Sequence, residues 1–440
     1  MQIKEGNADH PQNIRNKIVG FLFPVMIFFM LVLVLLGRSL RGKESEKMNE
    51  NKWVASDYYP FEEREENKEE NIKTEKNILD NISEKISKMK QKTESYVAES
   101  FYFRMPFVLI RKWSDKAVGI DMTTSLCVAQ NNQYDIEDVV LPYKNDYLGF
   151  VVDDMDITER INNLTDFGLQ MKEEGRNFLF FEVPGKYGEN VNFPSYFEEK
   201  EKEIKEAFEE KGLDFFRVSD AIKEQQLDEL SLFFKTDHHW LPSTGIWADQ
   251  LLCEEFNKRY GYDIDTSVFD MENYDVSILK DFSLGSQGKK VTEVYCEKED
   301  FPVIYPKYDT DLEVFISGKN KSFSGSIADT LLDSSAFDET NIYKKYDYTF
   351  YGYGDNALVT IHNNEIHDDS HVLMIKISFA DSMYPYLSAV FENLDVIDLR
   401  TFNGSLQSYI KETNPDTVVV VYGVTSFFGE EIEGWTCDFR

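Results

Sequence analysis

The longest apolar run in the chain is "IVGFLFPVMIFFMLVLVLLG", Ile18 to Gly37, which carries no charge. Twenty residues at about 1.5 Å each span about 30 Å, the hydrocarbon thickness of a bilayer. The following "RSLRGKESEK" has no small-x-small cleavage pattern, so residues 18–37 are expected to be a retained anchor. Lys4, Arg15 and Lys17 precede the run, and Arg38, Arg41, Lys43 and Lys47 follow it. That balance does not orient the span, but long domains translocate largely regardless of flanking charge. Residues 1–17 then form a short cytoplasmic tail, and the large C-terminal part is free to lie outside the cell membrane.

Polar residues dominate 38–100. "EEREENKEENIKTEK", Glu62 to Lys76, holds 11 charges in 15 residues and cannot bury surface. Ile78, Ile82, Ile86 and Met89 then recur at helical spacing. The segment is expected to be a charged helical stalk with one narrow apolar stripe.

From residue 101 to 440 the pattern changes to alternating strands and helices. "NFLFFEVPGK", Asn177 to Lys186, is a continuous apolar run stopped by Pro184 and Gly185, as buried parallel strands are. It lies between two helical stretches, 157–175 and 198–212, and "LDFFR" follows as another strand. Near the C-terminus "HVLMIKI", "LDVIDLR" and "DTVVVVYG" read as strands, separated by helices at 381–393 and 402–414. This alternation predicts an α/β fold with a doubly wound, mostly parallel sheet. Between the blocks, about 262–360, Gly, Ser, Asp and aromatic residues are frequent, and irregular β-hairpins and loops are expected.

A length of 440 residues with 42% hydrophobic composition permits a sizeable core. The net charge of −33 is spread along the chain and argues against nucleic-acid binding, which needs clustered Lys and Arg. Cys127, Cys253, Cys296 and Cys437 are far apart and form no CxxC pair, which argues against a zinc knuckle; two disulfides or four buried thiols are open, and a core this large favours thiols.

Reactive groups in such sheets sit at the carboxyl ends of strands. Ser378 directly follows "HVLMIKI", where it can act as a nucleophile or merely cap the next turn. A serine nucleophile needs a base. His10 precedes the anchor, and His362, His367 and His371 crowd the other end of the Ser378 strand, about 20 Å away. His238 and His239 remain, in "FFKTDHHWLP". Asp237 stands two residues before His239, the spacing that sets both side chains on one side of an extended or turn segment. Asp237 can then hold one ring nitrogen and leave the other for Ser378. Asp237 could instead cap the helix that begins near Pro242. His238 and His239 have no further histidine at HxxxH or HxH spacing, so no metal is expected there, and no cofactor is expected.

"FFKTDHHWLPSTG" resembles the signature of the DHHW proteins, which are similar to the alginate O-acetylation proteins. "FFEVPGKYGENVNFPSYF", "FSLGSQGKKV" and "LMIKISFADSMYPYLSAVFENLDVIDLR" extend the resemblance. It implies a circularly permuted SGNH-hydrolase-like fold, with Ser378 as nucleophile, His239 as base and Asp237 as orienting carboxylate. It further implies acetyl transfer to, or removal from, a cell-surface or secreted polysaccharide, a membrane-bound O-acyltransferase supplying acetyl groups, and Trp240 or nearby tyrosines against sugar rings. Asn356, in "GYGDN", and Tyr422, at the end of the last strand, are weaker candidates for substrate binding. The family pattern has Asp before the serine, whereas Ile377 stands there in this chain; Asp381-Ser382 is a rival pair. The alternative is an inactive relative that binds glycan or a partner.

Overall fold

The computed structural model describes residues 104–119, 140–150, 156–186, 196–427 and 439. The anchor expected at 18–37 and the stalk at 38–100 lie outside them, as do Cys127 and Cys437. Among the described residues no helix is long and apolar enough to cross a membrane. The chain divides into two units, Met1–Ser114 and Asp115–Arg440, and the sheet and candidate site belong to the second.

Among the described residues twelve strands occur in the order β1 (Val140–Pro142), β2 (Leu148–Phe150), β3 (Asn177–Glu182), β4 (Asp214–Arg217), β5 (Tyr274–Ser283), β6 (Glu299–Pro306), β7 (Leu312–Ile316), β8 (Lys321–Gly325), β9 (Leu358–Asn363), β10 (His371–Lys376), β11 (Asn393–Ile397) and β12 (Thr417–Tyr422). Eight of them form one sheet ordered β4-β3-β12-β10-β11-β9-β7-β8. The run from β4 to β11 is parallel. β9, β7 and β8 continue it antiparallel.

The sheet is therefore mixed. The sequence expectation of a mostly parallel sheet is corrected at its far edge, because the 262–360 region supplies β7, β8 and the start of β9. Burial accounts for the difference in legibility. In β12 all six residues are buried, and in β10 all but the first. Successive strand residues face opposite ways, so both faces there are covered. β7 and β9 alternate between buried and less buried positions, as antiparallel strands with one packed face do.

The longer helices of the second unit are α1 (Thr158–Glu173), α2 (Tyr196–Lys211), α3 (Pro242–Tyr260) and α4 (Leu406–Thr413). Pro242 occupies the first turn of α3, and Gly261 closes it with a left-handed φ of 74°. The helix expected over 381–393 is instead a 3-10 turn, Ser378–Ser382, followed by the short helix Tyr384–Leu387. Pro385 has no N–H to extend the first into the second.

α3 buries Ile246, Leu252, Cys253 and Phe256, and with them Asp249. Neither Asp249 oxygen has a hydrogen-bond partner among the described residues. Burial pushes its carboxyl well above the usual range, so the folded protein retains a proton that the unfolded chain releases. Stability should fall as pH rises above about 4, by about 1.4 kcal/mol per pH unit. Asp249→Asn should abolish that component. Urea midpoints across acid and neutral pH measure it, and parallel curves for the two proteins would refute the assignment.

Candidate active site

The segment from Phe233 to Leu241 is a tight loop closed by a bridge between Phe233 and Trp240. The Phe234 N–H donates to the His239 carbonyl at 3.1 Å, and the Leu241 N–H to the Leu232 carbonyl at 2.8 Å. Two side chains, the buried Lys186 and the half-buried Glu299, fix it by hydrogen bonds. Lys186 Nζ donates to the carbonyls of Phe234 (3.0 Å), Lys235 (3.2 Å) and Asp237 (2.5 Å) and to Gln287 Oε1 (2.6 Å). Glu299 accepts from the N–H groups of Lys235 (2.7 Å) and Thr236 (2.8 Å) and from the Thr236 hydroxyl. Gly285 approaches so closely that an added Cβ would lie 2.3 Å from Asp237 Cβ. That approach lets the Ser286 N–H reach Asp237 Oδ2 at 2.6 Å.

Asp237, His239 and Ser378 converge. Asp237 Oδ1 is 2.6 Å from His239 Nδ1 and accepts the His239 N–H at 3.0 Å. His239 Nε2 is 2.7 Å from Ser378 Oγ, which opens the turn after β10. An imidazole held between a carboxylate and a hydroxyl can withdraw the hydroxyl proton and return it to a leaving group. Asp237 does not cap α3; Leu241 stands at the N-cap. Burial alone would raise the Asp237 carboxyl, but His239 and His238 outweigh it and hold Asp237 well below its ordinary value.

The two histidines differ. The His239 ring stacks on Tyr348, with centroids 4.1 Å apart and planes 9° apart. His238 lies 3.8 Å from it, and its Nδ1 meets Ser286 Oγ at 2.8 Å. Burial and the neighbouring His239 push the His238 pKa down, which keeps that ring neutral. Asp237, His238 and His239 are spaced so that a metal could in principle be ligated. Both His239 nitrogens are already engaged, so an ion would have to displace Asp237 or Ser378.

A cleft of about 250 Å³ opens over Ser378 and His239, walled by Lys289, Tyr346, Tyr348 and Arg400. Behind it lies a charge network. Lys376 Nζ contacts Asp381 (2.5 Å), Asp355 (2.9 Å) and Asp398 (3.6 Å), while Arg400 contacts Asp398 (2.6 Å) and Asp355 (2.7 Å). Two cations face three carboxylates, so one carboxyl is left short of compensation. It is Asp381, where burial wins over Lys376 and raises the pKa to about 8. Burial opposes the charge on Lys376, yet the three carboxylates hold its pKa above the ordinary value.

Three sequence candidates are corrected by their surroundings. Trp240 and Tyr422 are fully buried and present no face to a sugar. Asn356 is also buried, and its Nδ2 donates to the carbonyls of Gly352 (3.1 Å) and Gly354 (3.0 Å), holding a turn. The rival Ser382 is fully buried and accepts hydrogen bonds from Trp240 Nε1 (3.1 Å) and the Tyr348 hydroxyl (2.8 Å). His371, at the start of β10, pairs with Asp395 at 2.8 Å. Lys186 and Glu299 went unread in the sequence. Only the position of Lys186 after the "VPG" turn hints at a role, since a residue there follows a buried strand's carboxyl end.

The fold and this constellation define a class: α/β proteins with a serine–histidine–aspartate relay at the carboxyl end of a central sheet. Within it, the profile of the DHHW protein family matches residues 222–397, a stretch that holds all three relay residues. Bacillus cereus PatB1, solved with a sulfonyl adduct, is 18% identical with a TM-score of 0.51, covering 68% of this chain and 100% of that one. A DHHW family protein from Eubacterium siraeum is also 18% identical with a TM-score of 0.51, covering 67% of this chain and 93% of that one. At this identity the likeness establishes a shared fold. The O-acetyltransferase domain of Pseudomonas putida AlgJ matches at 10% identity over 66% of this chain and 91% of its own, with a TM-score of 0.39, too slight to argue from. No functionally curated protein matches the chain.

Proposed function

We propose that the chain is a membrane-anchored, extracytoplasmic O-acetyltransferase, or acetylesterase, acting on a cell-surface or secreted polysaccharide. Ser378 Oγ attacks the acetyl carbonyl as His239 Nε2 takes its proton, with Asp237 stabilising the imidazolium. The Ser378 N–H, first in its turn, faces the developing oxyanion. Collapse of the tetrahedral adduct breaks the bond to the donor, which leaves with the proton from His239. A sugar hydroxyl, or water, then attacks the acetyl-serine while His239 takes the proton of the incoming group. The ester passes to the sugar, or acetate departs, and Ser378 is restored.

One observation carries this reading: the unbroken contact from Asp237 through His239 to Ser378, at 2.6 and 2.7 Å. The acetyl group and the polysaccharide come from the resemblance to the DHHW and alginate O-acetylation proteins. The anchor at 18–37 and a membrane-bound O-acyltransferase as acetyl supplier belong to the same proposal. Ile377, standing where the family pattern has Asp, favours a second reading, an inactive domain that binds glycan or a partner.

Incubation of the purified domain with 4-nitrophenyl acetate and polysaccharide fragments decides between these. Acetylated fragments are expected for a transferase, and released acetate alone for an esterase. Neither product above the uncatalysed level would leave the binding reading.

A further inference from the structure

Trp240 and Ser382 lie in the two sequence motifs that form the relay, yet neither touches the cleft chemistry directly. Their contacts are with each other. The Trp240 Nε1–H donates to the Phe379 carbonyl at 3.0 Å and to Ser382 Oγ at 3.1 Å. The Tyr348 hydroxyl donates to the same Oγ at 2.8 Å, and the Ser382 hydroxyl in turn donates to the Phe379 carbonyl at 3.4 Å. The Ser382 oxygen thus accepts two hydrogen bonds and gives one, which fills a hydroxyl's capacity. Phe379 immediately follows Ser378, so hydrogen bonds to its carbonyl anchor the turn that carries the nucleophile.

Tyr348 joins the two halves. Its ring lies flat against His239 at 4.1 Å while its hydroxyl reaches Ser382. Gly245, in the first turn of α3, lets that helix close on the same point, since an added Cβ would meet Ser382 Oγ at 2.3 Å. Helix, histidine loop and serine turn therefore meet at one hydroxyl.

We propose that Trp240, Tyr348 and Ser382 are positioning residues, a buried clasp that holds the serine turn at hydrogen-bonding distance from His239. This rests on the reading of Ser378 as nucleophile. The clasp gives the tryptophan of the DHHW motif its task, and gives Ser382 a structural one.

The test uses the full-length protein with Trp240→Phe, Tyr348→Phe and Ser382→Ala. Each should lower kcat for 4-nitrophenyl acetate by about tenfold with KM nearly unchanged, because misplacing a reacting group penalises the chemical step. Tyr348→Phe keeps the ring on His239 and removes only the hydroxyl. In the Ser382→Ala background it should cost little more, since its near acceptor is gone and only the Phe379 carbonyl, 3.4 Å away, is left to it. Folded variants with unchanged kcat, or a full additional loss from Tyr348→Phe in that background, would overturn the clasp.

Crystal structures of wild type and Trp240→Phe supply a readout independent of turnover. The variant's His239 Nε2 to Ser378 Oγ separation should exceed about 3.2 Å. An unchanged separation refutes the clasp even if the wild type proves inactive, whereas inactivity with the expected displacement refutes only the catalytic reading.

Discussion

Ser378→Ala is expected to reduce turnover of 4-nitrophenyl acetate by about a thousandfold or more, with the fold intact. The side chain is partly exposed at the cleft, so losing one oxygen leaves no cavity in the core. His239→Ala should cost nearly as much, because a serine hydroxyl is a weak nucleophile without its base. The double variant should be hardly worse than either single one, as expected for groups that act in one proton transfer. A Ser378→Ala protein that keeps the wild-type rate would show that the esterase chemistry lies elsewhere. A 4-toluenesulfonyl fluoride, which reacts with activated serines, should label the wild type and spare both variants.

Lys186→Met should have the second largest effect, on folding as well as on rate. The ammonium group satisfies three backbone carbonyls and one side-chain amide beneath the DHHW loop. Methionine fills a similar volume and satisfies none of them. Each buried acceptor left unmet costs about 1–3 kcal/mol, so the total should reach at least about 3 kcal/mol. That is a large part of the 5–15 kcal/mol typical of a folded domain. Lys186 also attracts the carboxylates of Asp237 and Glu299, an attraction the variant lacks. Urea unfolding measures the stability loss, and activity of the folded fraction reports whether the loop has shifted. A variant as stable as wild type would contradict this view of the loop.

What could be read from the sequence follows from physical pattern. β3, β10 and β12 are buried on both faces and therefore apolar throughout, so their composition alone marks them. The relay residues were found because few histidines exist and because Asp237 precedes His239 by two, a spacing the tight loop turns into a direct contact. The β7–β8 hairpin falls where irregular hairpins are expected, but both strands are short with Glu and Ser at outward positions, and no local signal shows that β7 also pairs with β9 and so extends the main sheet. For Trp240 sequence leaves sugar stacking and core packing equally open, because an indole beside a reactive histidine looks the same in either role, and its burial decides for packing. Tyr348 reaches His239 and Ser382 across long stretches of sequence, and of the acids around Lys376 only Asp381 is near it in the chain, so the folded sheet is needed to bring the rest together.

The position of β12 has a consequence for how the domain forms. It lies between β3 and β10, although it is the last strand of the sheet to be made. A nascent or translocating chain that lacks residues 417–422 cannot join its early half to its late half, whatever else has formed. Until they arrive, β3 and β10 each keep a row of unpaired backbone groups open to other chains. Assembly of the sheet should therefore wait for residues 417–422, and chaperones that shield unpaired strands should matter most just before they emerge.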